Sequence, residues 1–204
     1  GGETMQMLLK LSRLIDALSE RIGNLVYWLI LAAVFISAGN AVVRKGFQVS
    51  SNALLEVQWY LFSAVFLLGA GFVFLKNAHV RIDFISNRFS AKVRNWIDIF
   101  GILLVLAPLC IIFIELSWPL FHRAWVSGEM SQNAGGLIRW PVLLLIPIGF
   151  GLLLMQAVSE LIKRVGFLRG LIPDPIGHGA HTPEEDGMTY EIEEHAGRAR
   201  EELR

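Results

Sequence analysis

An all-α integral membrane protein with four transmembrane helices is the fold class this sequence predicts. Three observations carry that prediction. Four runs of about 20 residues are apolar on every face, unlike surface helices with one apolar stripe. Tryptophan and tyrosine gather near the ends of those runs, as interfacial aromatics do. Lysine and arginine crowd one set of loops. The 204-residue chain is 54% hydrophobic and only 18% charged, whereas ordinary soluble domains carry about 25% charged residues. A water-soluble bundle of these segments would expose too much hydrocarbon.

The elements follow in order. Residues 1–7, which open Gly-Gly-Glu-Thr, read as disordered or vector-derived. A membrane domain occupies 8–172. It begins with LLKLSRLIDALSERI, Leu8 to Ile22, whose apolar residues fall at 8, 11, 14, 15, 18 and 22 with charges between. This is an amphipathic helix that lies on the membrane surface or leads into the first span. A bilayer core about 30 Å thick needs about 20 residues at 1.5 Å each. Spans therefore fall at about 24–43, 57–75, 96–118 and 140–162, with Trp28, Trp59, Tyr60, Trp96, Trp118 and Trp140 near their ends. The loop KNAHVRIDF, 76–84, holds Asn77, His79, Arg81 and Asp83 between spans two and three. Its alternation suits a short extended segment, followed by a short interfacial helix. Residues 119–136 are too polar to span and read as an interfacial segment ending in a glycine turn. From 173 to 204 the chain is acidic and reads as a disordered tail.

Charge sets the orientation. The net charge of zero divides into +6 over residues 1–172 and −6 over 173–204. The N-terminal segment, the 76–95 loop and the segment after span four carry 11 Lys/Arg; the opposite side carries Arg44, Lys45, Arg123 and Arg139. The positive-inside rule then places both termini in the cytoplasm.

Candidate chemistry is sparse. Asp98, Glu115 and Glu160 lie near the ends of their spans, where they reach an interface or a neighbouring charge. Glu160 has Lys163 and Arg164 at i+3 and i+4. Histidines 79, 122, 178, 181 and 195 fall outside the spans, which argues against a bundle-held haem. The pair His178 and His181 lacks a third ligand for a metal. Cys110 is a lone cysteine in an apolar run and reads as a small buried hydrophobe. No nucleophile–base pair or phosphate-cradling loop is evident. No enzyme activity, cofactor, metal or nucleic-acid partner is expected. Small residues mark helix-packing faces instead: Ala33, Ser37 and Ala41 with Asn40 beside them, Gly69–Gly71, and Pro147, Gly149 and Gly151.

The loops carry a resemblance. Glu56, Gln58 and Tyr60 form a Glu-x-Gln-x-Tyr entry to span two. The Asn-x-His-Val-Arg-x-Asp loop follows it. Glu-x-Ser, Gly-Gly-Leu and Trp-Pro precede span four. Over about Leu14 to Leu171 the chain resembles the small membrane subunit, Q (DctQ-like), of the tripartite ATP-independent periplasmic (TRAP) transporters. The last block is most similar to the branch associated with mannitol, chloroaromatic or 2-oxo acid uptake. The resemblance implies a bacterial or archaeal inner-membrane scaffold for a large elevator-type permease subunit, M. That subunit takes an organic acid from a periplasmic binding protein, P, and is driven by an ion gradient, usually sodium. The small-residue stripe Ala33, Ser37, Asn40 and Ala41 and the motif residues Glu56, Gln58, Asn77, His79, Arg81, Asp83, Gly135, Gly136, Trp140 and Pro141 are the expected structural or subunit-interface residues. Arg44, Lys45, Glu115, Arg123, Glu129 and Arg139 are expected to dock the binding protein. The competing expectation is a stand-alone oligomeric channel or exporter, for which Asn40 and Gln156 supply too few path-lining polar groups.

Overall fold

The computed structural model describes residues 2–47, 51–76 and 90–175. Asn77, His79, Arg81, Asp83 and the tail from residue 176 onward lie outside these. The described residues form four helices and no strand: α1 (Gly2–Phe47), α2 (Asn52–Leu75), α3 (Ala91–Ser127) and α4 (Trp140–Leu168). Each is long and apolar enough to cross a membrane.

α1 is a single 46-residue helix, about 69 Å long at 1.5 Å per residue. It contains no proline, so nothing breaks it between the amphipathic segment and the first span. It begins at Gly2 and buries Met5, so residues 3–7, read from sequence as disordered or vector-derived, lie within the helix. α3 contains two prolines, Pro108 and Pro119. Pro108 cannot donate to the carbonyl four residues back. The helix adapts with a π-turn over Ile102–Leu106, where the Ala107 N–H bonds to the Ile102 carbonyl. It then runs through Pro119 to Ser127, well past the expected end of span three near 118. Gly128, at φ 62°, ends it in the left-handed region that glycine tolerates.

α1, α2 and α4 pack against one another, while α3 packs on α4 and makes no substantial contact with α1 or α2. α2 and α4 run in the same direction and touch through glycines. A Cβ on Gly149 would lie 2.7 Å from the Leu67 Cβ and 2.8 Å from its carbonyl oxygen. Gly69 and Gly71 are buried in α2, and Ala33 is buried in α1. These small residues therefore serve packing within the chain.

The bundle has two ends. The hairpin end holds Glu129–Arg139, the link from α3 to α4. The termini end holds the start of α1 and the end of α4. α2 stops there at Lys76, which pairs with Glu20 of α1 at 2.8 Å. α4 continues past α2, flanked by the first turns of α1 and α3.

Candidate functional site

At the hairpin end Glu56 and Tyr60 of the span-two motif meet Ser131 and the Gly135–Leu137 stretch in one unit. Glu56, buried in the second turn of α2, accepts three hydrogen bonds from the hairpin. Ser131 Oγ and Asn133 Nδ2 (2.9 Å) donate to its Oε1, and the Leu137 N–H donates to Oε2 at 2.6 Å. Tyr60 donates its hydroxyl proton to the Ile138 carbonyl at 2.7 Å, and Asn52 Nδ2 donates to the Ala134 carbonyl at 2.9 Å. The hairpin closes on itself through an antiparallel bridge, Met130 to Ile138. Gly135 sits at φ 70°. A Cβ on Gly136 would lie 2.6 Å from Ser131 Cβ and 2.8 Å from Glu56 Oε1. The Glu-x-Gln-x-Tyr and Gly-Gly-Leu motifs thus specify one clamp. Trp140 makes an edge contact with Trp125 of α3, ring centroids 4.6 Å apart. Pro141 follows at the first turn of α4, where its missing N–H costs nothing.

Gln58 does not join the clamp. It lines an open cleft of about 460 Å³ with Ser37, Asn40, Ala41, Arg44 and Lys45. The structure thus gathers six of the nominated residues between the end of α1 and the start of α2. Ala33, one turn deeper, is buried, whereas Ser37 and Ala41 are exposed. The small-residue stripe therefore divides: Ala33 packs inside the bundle and the rest faces outward. Of the expected docking residues, Glu129 and Arg139 pair with each other while remaining part-exposed. Arg123 is exposed beside Trp118 and His122. Glu115 is exposed but lies 12 residues before the end of α3, so the structure does not place it among the hairpin-end charges.

At the termini end lies a polar seam that sequence reasoning missed. Ser12, Asp16 and Ser19 of α1 face Gln156, Ser159, Glu160 and Lys163 of α4. Ser159 Oγ donates to Asp16 Oδ1 at 2.6 Å, as does Gln156 Nε2 at 2.9 Å. Ser19 donates to Gln156 Oε1 at 2.7 Å, and the Ser12 and Ser159 hydroxyls meet at 2.7 Å. Lys163 Nζ bridges Asp16 (3.0 Å) and Glu160 (2.5 Å). Arg164 pairs with Glu160 and, at 3.1 Å, with Asp98 of α3. The expected i+3 and i+4 pairs of Glu160 are both present. Asp98 reaches across to Arg164 of α4. Arg94 and Asn95 hold Asp174 at 3.4 and 3.0 Å, so the first acidic residue of the tail is fixed to α3. Glu160 and Arg164 are each 1% exposed. Such buried charges need this complete pairing, because an unpaired charge there is expensive. The available signal was helical spacing: 12, 16 and 19 form one polar stripe, and 156, 159, 160 and 163 form another. Among the described residues, no three His, Cys, Asp or Glu side chains gather as a metal site.

A family model described as "Tripartite ATP-independent periplasmic transporters, DctQ component" matches residues 33–166, more than half of the chain. That stretch contains the Glu56 clamp, the cleft and the α4 side of the polar seam; the α1 side precedes it. No curated protein and no solved structure matches.

Proposed function

The chain belongs to the DctQ component family of the tripartite ATP-independent periplasmic transporters, and on that premise we propose that it scaffolds the large permease subunit. In this reading the large subunit carries an organic acid by an elevator motion driven by an ion gradient, usually sodium. A periplasmic binding protein delivers the acid. The chain itself supplies helix surface and rigidity. The observation that carries the proposal is the fate of its polar groups. The Glu56 clamp and the Asp16–Arg164 seam are both consumed by contacts within the chain. Most of what remains on the helix flanks is apolar. Many large side chains, such as Phe66, Leu104 and Leu116, are exposed. Such a body suits packing in a membrane complex rather than binding a solute.

The charge pattern supports an inner-membrane orientation with both termini cytoplasmic and the hairpin end periplasmic. On that side Arg44, Lys45, Arg123 and the Glu129–Arg139 pair form the docking surface for the binding protein. The polar face of the first 20 residues supports an α1 that stands against α4 rather than lying flat on the membrane.

Deleting this subunit is expected to abolish uptake while purified binding protein still binds ligand; unimpaired uptake by the other two components would overturn the scaffold reading. Reversing Arg44, Lys45 and Arg123 to Glu is expected to raise the KM for loaded binding protein. The salt dependence of uptake should weaken as well, since rim charges act on encounter. Unchanged kinetics at low and high salt would argue against docking there.

A further inference from the structure

α3 carries a carboxylate where none is expected. Phe113 stacks on Phe150 of α4 with centroids 4.5 Å apart, and Trp125 meets Trp140 at 4.6 Å. These contacts fix the antiparallel register of the two helices and set Glu115 level with about Ile148. Ile148 is eight residues along α4 from Trp140, about 12 Å below the hairpin-end boundary at 1.5 Å per residue. It is as far again from Gln156, near the level of the Glu20–Lys76 pair. Glu115 therefore sits about midway between the two polar ends of the bundle.

It also faces away from the bundle. Cys110, Ser117 and Ala124 are buried on the α4 side of α3. At about 100° per residue, Glu115 lies on the far side of the helix from them. Pro108, Ile111, Glu115, Trp118 and His122 share that outer face, and all are exposed. The census of acids isolates it further. Asp16, Glu20, Glu56, Asp98, Glu129, Glu160 and Asp174 all have partners. Glu3 lies in the first turn of α1, ahead of that helix's apolar run. Glu115 has no hydrogen bond or ion pair among the described residues. Its own backbone carbonyl also lacks the usual i+4 donor, because Pro119 has no N–H. A charged side chain at such depth is costly unless it meets a partner. A proline-freed carbonyl in a transmembrane helix is re-satisfied by a neighbouring helix, a nearby hydroxyl, water or a local change of helical pitch.

We propose that Glu115 is the charged anchor of an intramembrane subunit interface: the outer face of α3 packs against a transmembrane helix of the large subunit that carries a lysine or arginine at that depth. The proposal rests on the scaffold reading above and assigns it a contact face. Charge complementarity selects the occupant. Acyl chains offer no donor, whereas a cationic side chain satisfies both the carboxylate and the free carbonyl. The one-sided attachment of α3 to α4 leaves the face open to a second helix.

The test is co-purification of the full chain with its large subunit, for wild type, Glu115→Asp, Glu115→Gln and Glu115→Lys. The Asp variant is expected to retain the complex. The Gln variant should lower recovery at least about tenfold, the factor that corresponds to about 1.4 kcal/mol. The Lys variant should abolish the complex until one basic intramembrane residue of the large subunit is changed to Asp. Since Glu115 points away from α4, the thermal unfolding of each isolated variant should match wild type. Dicyclohexylcarbodiimide, which modifies carboxyl groups exposed to lipid, should label Glu115 in the isolated chain and not in the complex. Equal recovery of all variants, or equal labelling in both states, would overturn the interface while leaving the scaffold reading standing. Failure of the wild-type pair to co-purify would overturn both.

Discussion

Glu56 is a single side chain that holds a whole connection in place. Its two carboxylate oxygens take three donors from a hairpin about 80 positions away in the chain, and Gly136 must lack a Cβ for the loop to come that close. Glu56→Ala should leave the Leu137 N–H and Asn133 amide without their acceptor. Amide exchange across 129–139 should then rise while helix content is kept; unchanged protection by hydrogen exchange would count against the clamp. The same loosening is expected from Gly136→Ala, whose added carbon would meet Ser131 and Glu56. At the helix crossing, Gly149→Leu should destabilise the bundle by about 1–3 kcal/mol, the usual cost of overpacking a close contact. Thermal unfolding in detergent reads that effect. That Glu56, Tyr60, Gly135 and Gly136 mattered was legible in their motif. That they meet was not, because nothing in a sequence measures the distance between positions 56 and 137.

α1 reverses the usual sense of an amphipathic helix. Ser12 is 1% exposed while Leu14 is 69% exposed. The leucines at 8, 11, 14 and 18 point outward, and the serines and Asp16 point into the polar seam. The spacing correctly marked a two-sided helix, but it does not say which side turns inward. Hydropathy reasoning assumes water outside, and a membrane protein has no such default. Ser19→Leu is therefore expected to destabilise more than Leu18→Ser, the opposite of the order in a soluble bundle. The Ser19 change strands Gln156 Oε1, and an unsatisfied buried group costs about 1–3 kcal/mol. Midpoints from detergent melts of the two variants decide the order. α3 shows a second limit. Nothing read from the sequence marked the π-turn ahead of Pro108, where the Ala107 N–H bonds to the Ile102 carbonyl. That turn sets the phase of everything after it, Glu115 included.

The whole molecule is a three-helix body with α3 attached on one flank, and its charges are sorted by end. If the termini lie inside, an impermeant thiol reagent added to intact cells should label Gln132→Cys at the hairpin and spare Lys10→Cys, both in a Cys110→Ala background. The reverse pattern would invert the orientation. The sequence by itself determined the fold class, the approximate position of each span and, through its loop motifs, the family. Those properties depend on local hydrophobicity and residue identity, which are written in the chain directly. The tertiary structure alone decided which way each helix is turned, that Asp16, Glu160, Lys163, Arg164 and Asp98 form one paired cluster, and that Glu115, midway along the bundle, has no partner among the described residues. The physical reason is that helix rotation and register are set by contacts between segments far apart in sequence, and a carboxylate's role follows from what faces it across that gap.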